Sequence, residues 1–115
     1  MANTFKTITK ANVPSADVIY TVAGSTTTVL LGILLGNTTG SAITATVSLG
    51  SDTANRAGNN DEANQTVELI TGTSIPANSS LELLTGNKVV METTDTLSVT
   101  GSASTDVVLS IMEIT

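Results

Sequence analysis

The side chains that could carry chemistry in this chain of 115 residues are ten carboxylates, four cations and many hydroxyls, with no histidine and no cysteine. Histidine is the side chain best placed to move protons near neutral pH and is the commonest metal ligand, while cysteine is a leading nucleophile. Catalysis would therefore have to rest on Asp, Glu, Lys, Ser or Thr. The acids are Asp17, Asp52, Asp61, Asp95, Asp106, Glu62, Glu68, Glu82, Glu92 and Glu113, and they fall singly along the chain apart from the adjacent Asp61 and Glu62. Nothing in that spacing marks an acid–base pair, so no catalytic residue is assigned and the chain reads as a non-enzyme.

The richest oxygen set is Asp52, Asn55, Asn59, Asp61 and Glu62. Such oxygens suit calcium, yet the D-x-[DN]-x-[DN]-G pattern and its following bidentate Glu are missing, so no metal is assigned. Three N-x-[ST] triplets begin at Asn37, Asn64 and Asn78, as chance allows in a chain this rich in Asn, Ser and Thr. No G-x-G-x-x-G or G-K-[ST] pattern exists to cradle phosphate, and no cofactor is assigned.

Charge and aromatic content narrow the partners. Ten acids against Lys6, Lys10, Arg56 and Lys88 give a net charge of −6. That balance repels a phosphate backbone and leaves no basic stripe, so nucleic acid is not a partner. Phe5 and Tyr20 are the only aromatics, which leaves almost no platform for stacking on bases or sugar rings and weighs against a carbohydrate-binding adhesin. The longest apolar stretch, Val29 to Leu35, is interrupted by Gly32 and falls far short of the ~20 residues of a membrane-spanning helix. MANTFKTITK has no apolar run after its charged residues, so no secretory signal is expected.

The elements that must position these side chains read as strands. The chain holds 22 Thr, 12 Ser and nine Gly, a mix that favours strands and turns. Apolar residues recur with a period of two: Ile43, Ala45, Val47 and Leu49 alternate with Thr44, Thr46 and Ser48. The same rule predicts strands over Thr4–Lys10, Val18–Val22, Thr26–Leu35, Ala42–Leu49, Thr66–Thr71, Ser80–Leu84, Lys88–Glu92, Thr96–Gly101 and Asp106–Ile114, with turn residues between them. Eight or nine short strands at this spacing predict an all-β fold, a single antiparallel β-sandwich domain over residues 1–115 of jelly-roll or immunoglobulin-like topology. Residues 50–64 are too long for a hairpin loop and read as an exposed excursion, either solvated or reaching a neighbouring subunit.

Two segments are apolar on both faces. In TTTVLLGILLG, Val29, Leu31, Ile33 and Leu35 fall on one face of a regular strand and Leu30 and Leu34 on the other. In the C-terminal segment Val107, Leu109 and Ile111 oppose Val108, Met112 and Ile114. A two-sheet sandwich buries only one face of each strand, so the second is covered by a loop of the same chain or by a neighbouring subunit. Leu30, Leu34, Val108, Met112 and Ile114 are the interface candidates on the second reading.

The order of MANTFK, VIYTVAGSTTTVLLGILLGNTTGSAITATVSL and SIPANSSLELLTGNKVVMETTDTLSVTGSASTDVVLSIMEIT resembles small virion structural proteins of tailed phages, particularly marine and cyanobacterial ones. The resemblance covers most of the chain outside the excursion. Where such families usually have Gly after the Pro-Ala of the Ile75-Pro76-Ala77 turn, this chain has Asn78, which a turn accepts. The resemblance implies a capsid decoration or cement subunit, made in the host cytoplasm and carried on the virion surface. Its implied partners are its own copies, as a homo-oligomer and possibly a trimer, and the major capsid protein or another virion protein. A neck, tail or fibre position is the alternative within that class.

Overall fold

Each of the nine segments with period-two alternation is extended in the computed structural model, which describes residues 2–13, 15–51, 65–84 and 87–115. The strands are β1 (Asn3–Val13), β2 (Asp17–Thr21), β3 (Thr27–Asn37), β4 (Ile43–Ser51), β5 (Gln65–Ile75), β6 (Ser80–Leu83), β7 (Val89–Met91), β8 (Thr96–Gly101) and β9 (Thr105–Ile114). Several run past the alternating stretch that predicts them, because a neighbouring strand continues the ladder there. No helix forms among the described residues. Of the expected excursion, Gly50 and Ser51 belong to β4; residues 52–64, with the oxygens of Asp52, Asn55, Asn59, Asp61 and Glu62, lie outside the described residues.

The pairing follows one antiparallel double ribbon. β1 pairs with β9, β2 with β8, β3 with both β6 and β7, and β4 with β5. The ribbon then coils on itself, which sets β9 beside β3 and β8 beside β4. Two sheets result, β1-β9-β3-β6 with β7 also on β3, and β2-β8-β4-β5. This is the jelly-roll order, distinct from the immunoglobulin order in which the first two strands share a sheet.

The buried apolar residues between the sheets are aliphatic apart from Met91, and Thr28, Asp95 and Thr105 are buried beside them. β4 supplies Ile43, Ala45 and Val47, and β9 supplies Val107, Leu109 and Ile111, all buried as their alternation predicts. β3 departs from it. Its register against β9 shifts between Leu30 and Gly32, so Leu31 is an extra residue and the face reverses across the bulge. Leu30 therefore points inward with Ile33 and Leu35, at 0% exposure, and it leaves the set of interface candidates. Regular alternation cannot foresee that reversal, because the inserted residue is defined only by its partner strand.

Asn37 ends β3 as a clamp. Its buried Nδ2 donates to the carbonyls of Ser41 (2.8 Å), Ile75 (3.0 Å) and Pro76 (3.0 Å). Its Oδ1 accepts from the Thr39 amide (2.9 Å) and the Thr39 hydroxyl (2.7 Å). One side chain thus ties the β3–β4 turn to the β5–β6 turn, where Asn78 adopts φ 55°, a left-handed conformation that Asn tolerates. The first N-x-[ST] triplet is in this way a structural device.

Two expected outcomes follow from this packing. Asn37→Ala should cost about 1–3 kcal/mol in urea unfolding, because it strands buried carbonyls. Leu30→Ala should cost about 2–5 kcal/mol by leaving a cavity, whereas Leu34→Ala should cost much less.

Candidate functional site

The two sheets turn very different outer faces to solvent. On the β2-β8-β4-β5 sheet the outward residues are mostly hydroxyls: Thr46 lies opposite Thr100, Ser48 opposite Ser98, and Thr44 opposite Ser74. Val18, opposite Ser98, is an apolar exception at 50% exposure, and Val67 of β5 in the same sheet is 53% exposed.

On the β1-β9-β3-β6 sheet the register assembles an apolar row across four strands. Phe5 of β1 lies opposite Met112 of β9, Met112 opposite Val29 of β3, and Val29 opposite Val90 of β7. Phe5 is 72% exposed and Val90 58% exposed, while Met112 and Val29 are half-buried. A second row runs through Thr9, Val108, Leu34 and Glu82. Between the rows stand small residues, Thr7 opposite Ser110 and Ser110 opposite Gly32. Gly32 has open space where a Cβ would stand.

The small middle row leaves two open depressions. One, of about 310 Å³, is lined by Leu31, Gly32, Leu34, Leu83, Leu84 and Val108 among others. Its neighbour, of about 280 Å³, is lined by Phe5, Lys6, Thr7 and Ile111. Leu31 and Ser110 border both. The β3 bulge thus removes Leu30 from this face and puts Leu31 on it. Of the candidates read from sequence, Leu34, Val108, Met112 and Ile114 share this face, all half-buried. Sequence reasoning missed Phe5, Val29, Leu31 and Val90. Phe5 falls on the opposite face of its strand from Ile8, which was the available signal; the others are visible only through the register.

Below this face a polar clasp joins the two sheets. Glu113, between the outward Met112 and Ile114, turns inward and receives Lys6 Nζ at 2.7 Å and the Tyr20 hydroxyl at 2.5 Å. The single phenolic proton goes to the carboxylate, so Thr28 donates its hydroxyl to the Tyr20 oxygen at 2.7 Å. Burial, then the bond to Glu113, pushes the Tyr20 hydroxyl up to about 12. The Lys6 bond, then the Tyr20 bond, holds the Glu113 carboxyl below its ordinary range. Among the described residues no group of three or more carboxylates gathers to hold a metal ion.

No protein-family model and no curated protein matches the sequence. Solved structures with a similar fold include a chain of the infectious bursal disease virus Gx strain, with a TM-score of 0.57 and 11% identity over 98% of this chain and 33% of that one. The infectious bursal disease virus VP2 subviral particle follows at 0.47 and 8% identity, over 96% and 36%. A chain of the Bacillus endospore appendages, described as disulfide-linked pili, gives 0.46 and 17% identity, over 99% and 87%. The first likeness is one of fold, and this chain spans about a third of that viral chain's length.

The clasp sets a pH dependence at both ends. Glu113 is lowered in the folded state, so its contribution is present above the ordinary carboxyl range and lost as pH falls through it. Tyr20 is raised, so its contribution is complete below pH 10 and lost as pH rises toward about 12. Melting curves should therefore fall more steeply between those two pH values for the wild type than for Tyr20→Phe, which should itself cost about 1 kcal/mol at neutral pH.

Proposed function

We propose that this protein is a non-catalytic virion structural subunit, a capsid decoration or cement protein of a tailed phage, which docks through the outer face of its β1-β9-β3-β6 sheet. The observation that carries the reading is the asymmetry between the two outer faces, hydroxyl-rich on one sheet and crossed by exposed apolar rows on the other. Large exposed apolar patches mark interaction sites, since their burial is favourable by roughly 25 cal/mol per Å². The jelly roll is a fold that viral capsid domains use, which supports the reading at the level of architecture. The likeness of fold to the infectious bursal disease virus chain supports a virion structural role at the same level.

The mechanism is mass action without chemistry. A subunit that binds only the assembled shell stabilises that state, and at 100 times its dissociation constant each independent site contributes about 2.7 kcal/mol. Many weak, repeated contacts then make a marginal lattice robust. The net charge of −6 favours a neutral or basic patch on the shell, so added salt should slow docking more than it loosens the docked state.

Particles lacking the protein should assemble and package DNA but release it at a lower temperature than wild type, as followed by dye access to DNA during heating. Adding back purified protein should restore the higher temperature. Leu34→Asp, which places an unpaired charge in the docked face, should fold normally yet weaken particle binding by roughly 100-fold or more. Mutant particles as heat-resistant as wild type, but defective in host adsorption, would instead assign the protein to the tail or a fibre.

A further inference from the structure

Each sheet has two edges, and three of the four are blunted among the described residues. The β2 edge is five residues long and carries an irregularity between Val18 and Tyr20. The β5 edge is broken by two register shifts against β4, with Gly72 at φ 53°. The edge opposite β1 is divided between β6 and β7, four and three residues long. These are the devices by which natural sheets avoid pairing with other chains.

The fourth edge is different. β1 is 11 residues long and pairs with β9 in unbroken register from Asn3 to Lys10, its irregularity lying beyond, between Lys10 and Val13, where Asn12 takes φ 57°, and its other side is open among the described residues. Lysines commonly protect such an edge. Here both are engaged within the chain, Lys6 with Glu113 at 2.7 Å and Lys10 with Asp17 at 2.9 Å.

We infer that β1 is a strand-addition surface whose occupant is β1 of a second copy, paired antiparallel about a two-fold axis through Thr7. Like charges exclude the registers centred on Lys6 and Ile8, and of those left the one centred on Thr7 overlaps most of the regular segment from Asn3 to Lys10. Centring the pair on Lys6 sets Lys6 against Lys6, and centring it on Ile8 sets Lys6 against Lys10. Centring it on Thr7 sets Lys6 against Ile8, Lys10 against Thr4, Phe5 against Thr9 and Thr7 against itself. Charges directly opposite are thereby avoided, and a Thr–Thr pair, which is favourable across strands, sits on the axis. An antiparallel contact between identical strands is isologous and closes as a dimer, not as the trimer that the family resemblance implies. The joined sheets would also place the two apolar outer faces side by side. The contact is a property of the free protein and does not depend on the proposed virion role.

The chain has no cysteine, so single cysteines report the geometry cleanly. The full-length protein should sediment as a dimer at high micromolar concentration. Thr7→Cys should cross-link to its own copy on mild oxidation or with a short bis-maleimide, because opposed Cα atoms lie about 4.5–5.5 Å apart. Phe5→Cys should not, since its copies would stand four residues apart along the strands, about 13 Å. Thr7→Lys, at an exposed position, should keep the wild-type melting temperature while weakening the dimer roughly fivefold. A wild-type protein that remains monomeric at that concentration overturns the inference. So does a dimer that cross-links through Gly32→Cys but not Thr7→Cys, which would move the contact from the edge to the outer face.

Discussion

The rest of the molecule depends on the ladder between β3 and β9. Pairing along each arm of the ribbon alone would leave a long, flat double strand with an apolar side in water. The ten partnered positions from Thr27–Ile114 to Asn37–Thr105 fold that ribbon back on itself and close the core. β3 then has neighbours on both sides, β9 on one and β6 and β7 on the other, and it gives the core Leu30, Ile33 and Leu35. The extra residue at Leu31 is part of the same constraint. It lets β3 present Leu30, Ile33 and Leu35 inward on both sides of the bulge while its outward side changes from Val29 through Leu31 and Gly32 to Leu34.

That constraint also explains why the two outer faces differ. β3 and β9 are the central strands of their sheet and hold most of its apolar outward residues, so the face they build is the one least suited to water. β4 and β8, central in the other sheet, alternate aliphatic residues inward with Thr and Ser outward, the usual solution for a half-exposed antiparallel sheet. The polar devices lie at the ends of the sandwich. Asn37 satisfies five hydrogen-bonding groups where two turns meet, and the Lys6–Glu113–Tyr20–Thr28 clasp bridges the sheets beside Met112 and Ile114. Both fix the frame on which the apolar face stands.

A jelly roll does not specify a function, because many unrelated proteins share it. What distinguishes this one is the distribution of its surface: one wet face, one apolar face and one regular free edge. A face and an edge at right angles to each other are two independent contacts. Together they fit the proposed subunit, which would meet its own copy laterally while it lies on a larger surface, with weak contacts multiplied by copy number.

The strands themselves, and the all-β class, were legible in the sequence because alternation is local: a strand of Thr and Ser interleaved with Val, Ile and Leu declares its two faces without reference to a partner. The turn at Pro76-Ala77-Asn78 was legible for the same reason, and so was the surplus of apolar residues in β3 and β9. Everything that depends on which strand lies beside which was decided by the tertiary structure. The jelly-roll order, the inward turn of Leu30 and the role of Asn37 between two distant turns all arise from contacts far apart in the chain. The row Phe5–Met112–Val29–Val90 takes one residue from each of four strands, so no window of sequence contains it. Only the register of three ladders brings it into being, and that register is set by the packing of the buried face and by the turns, which no single window contains.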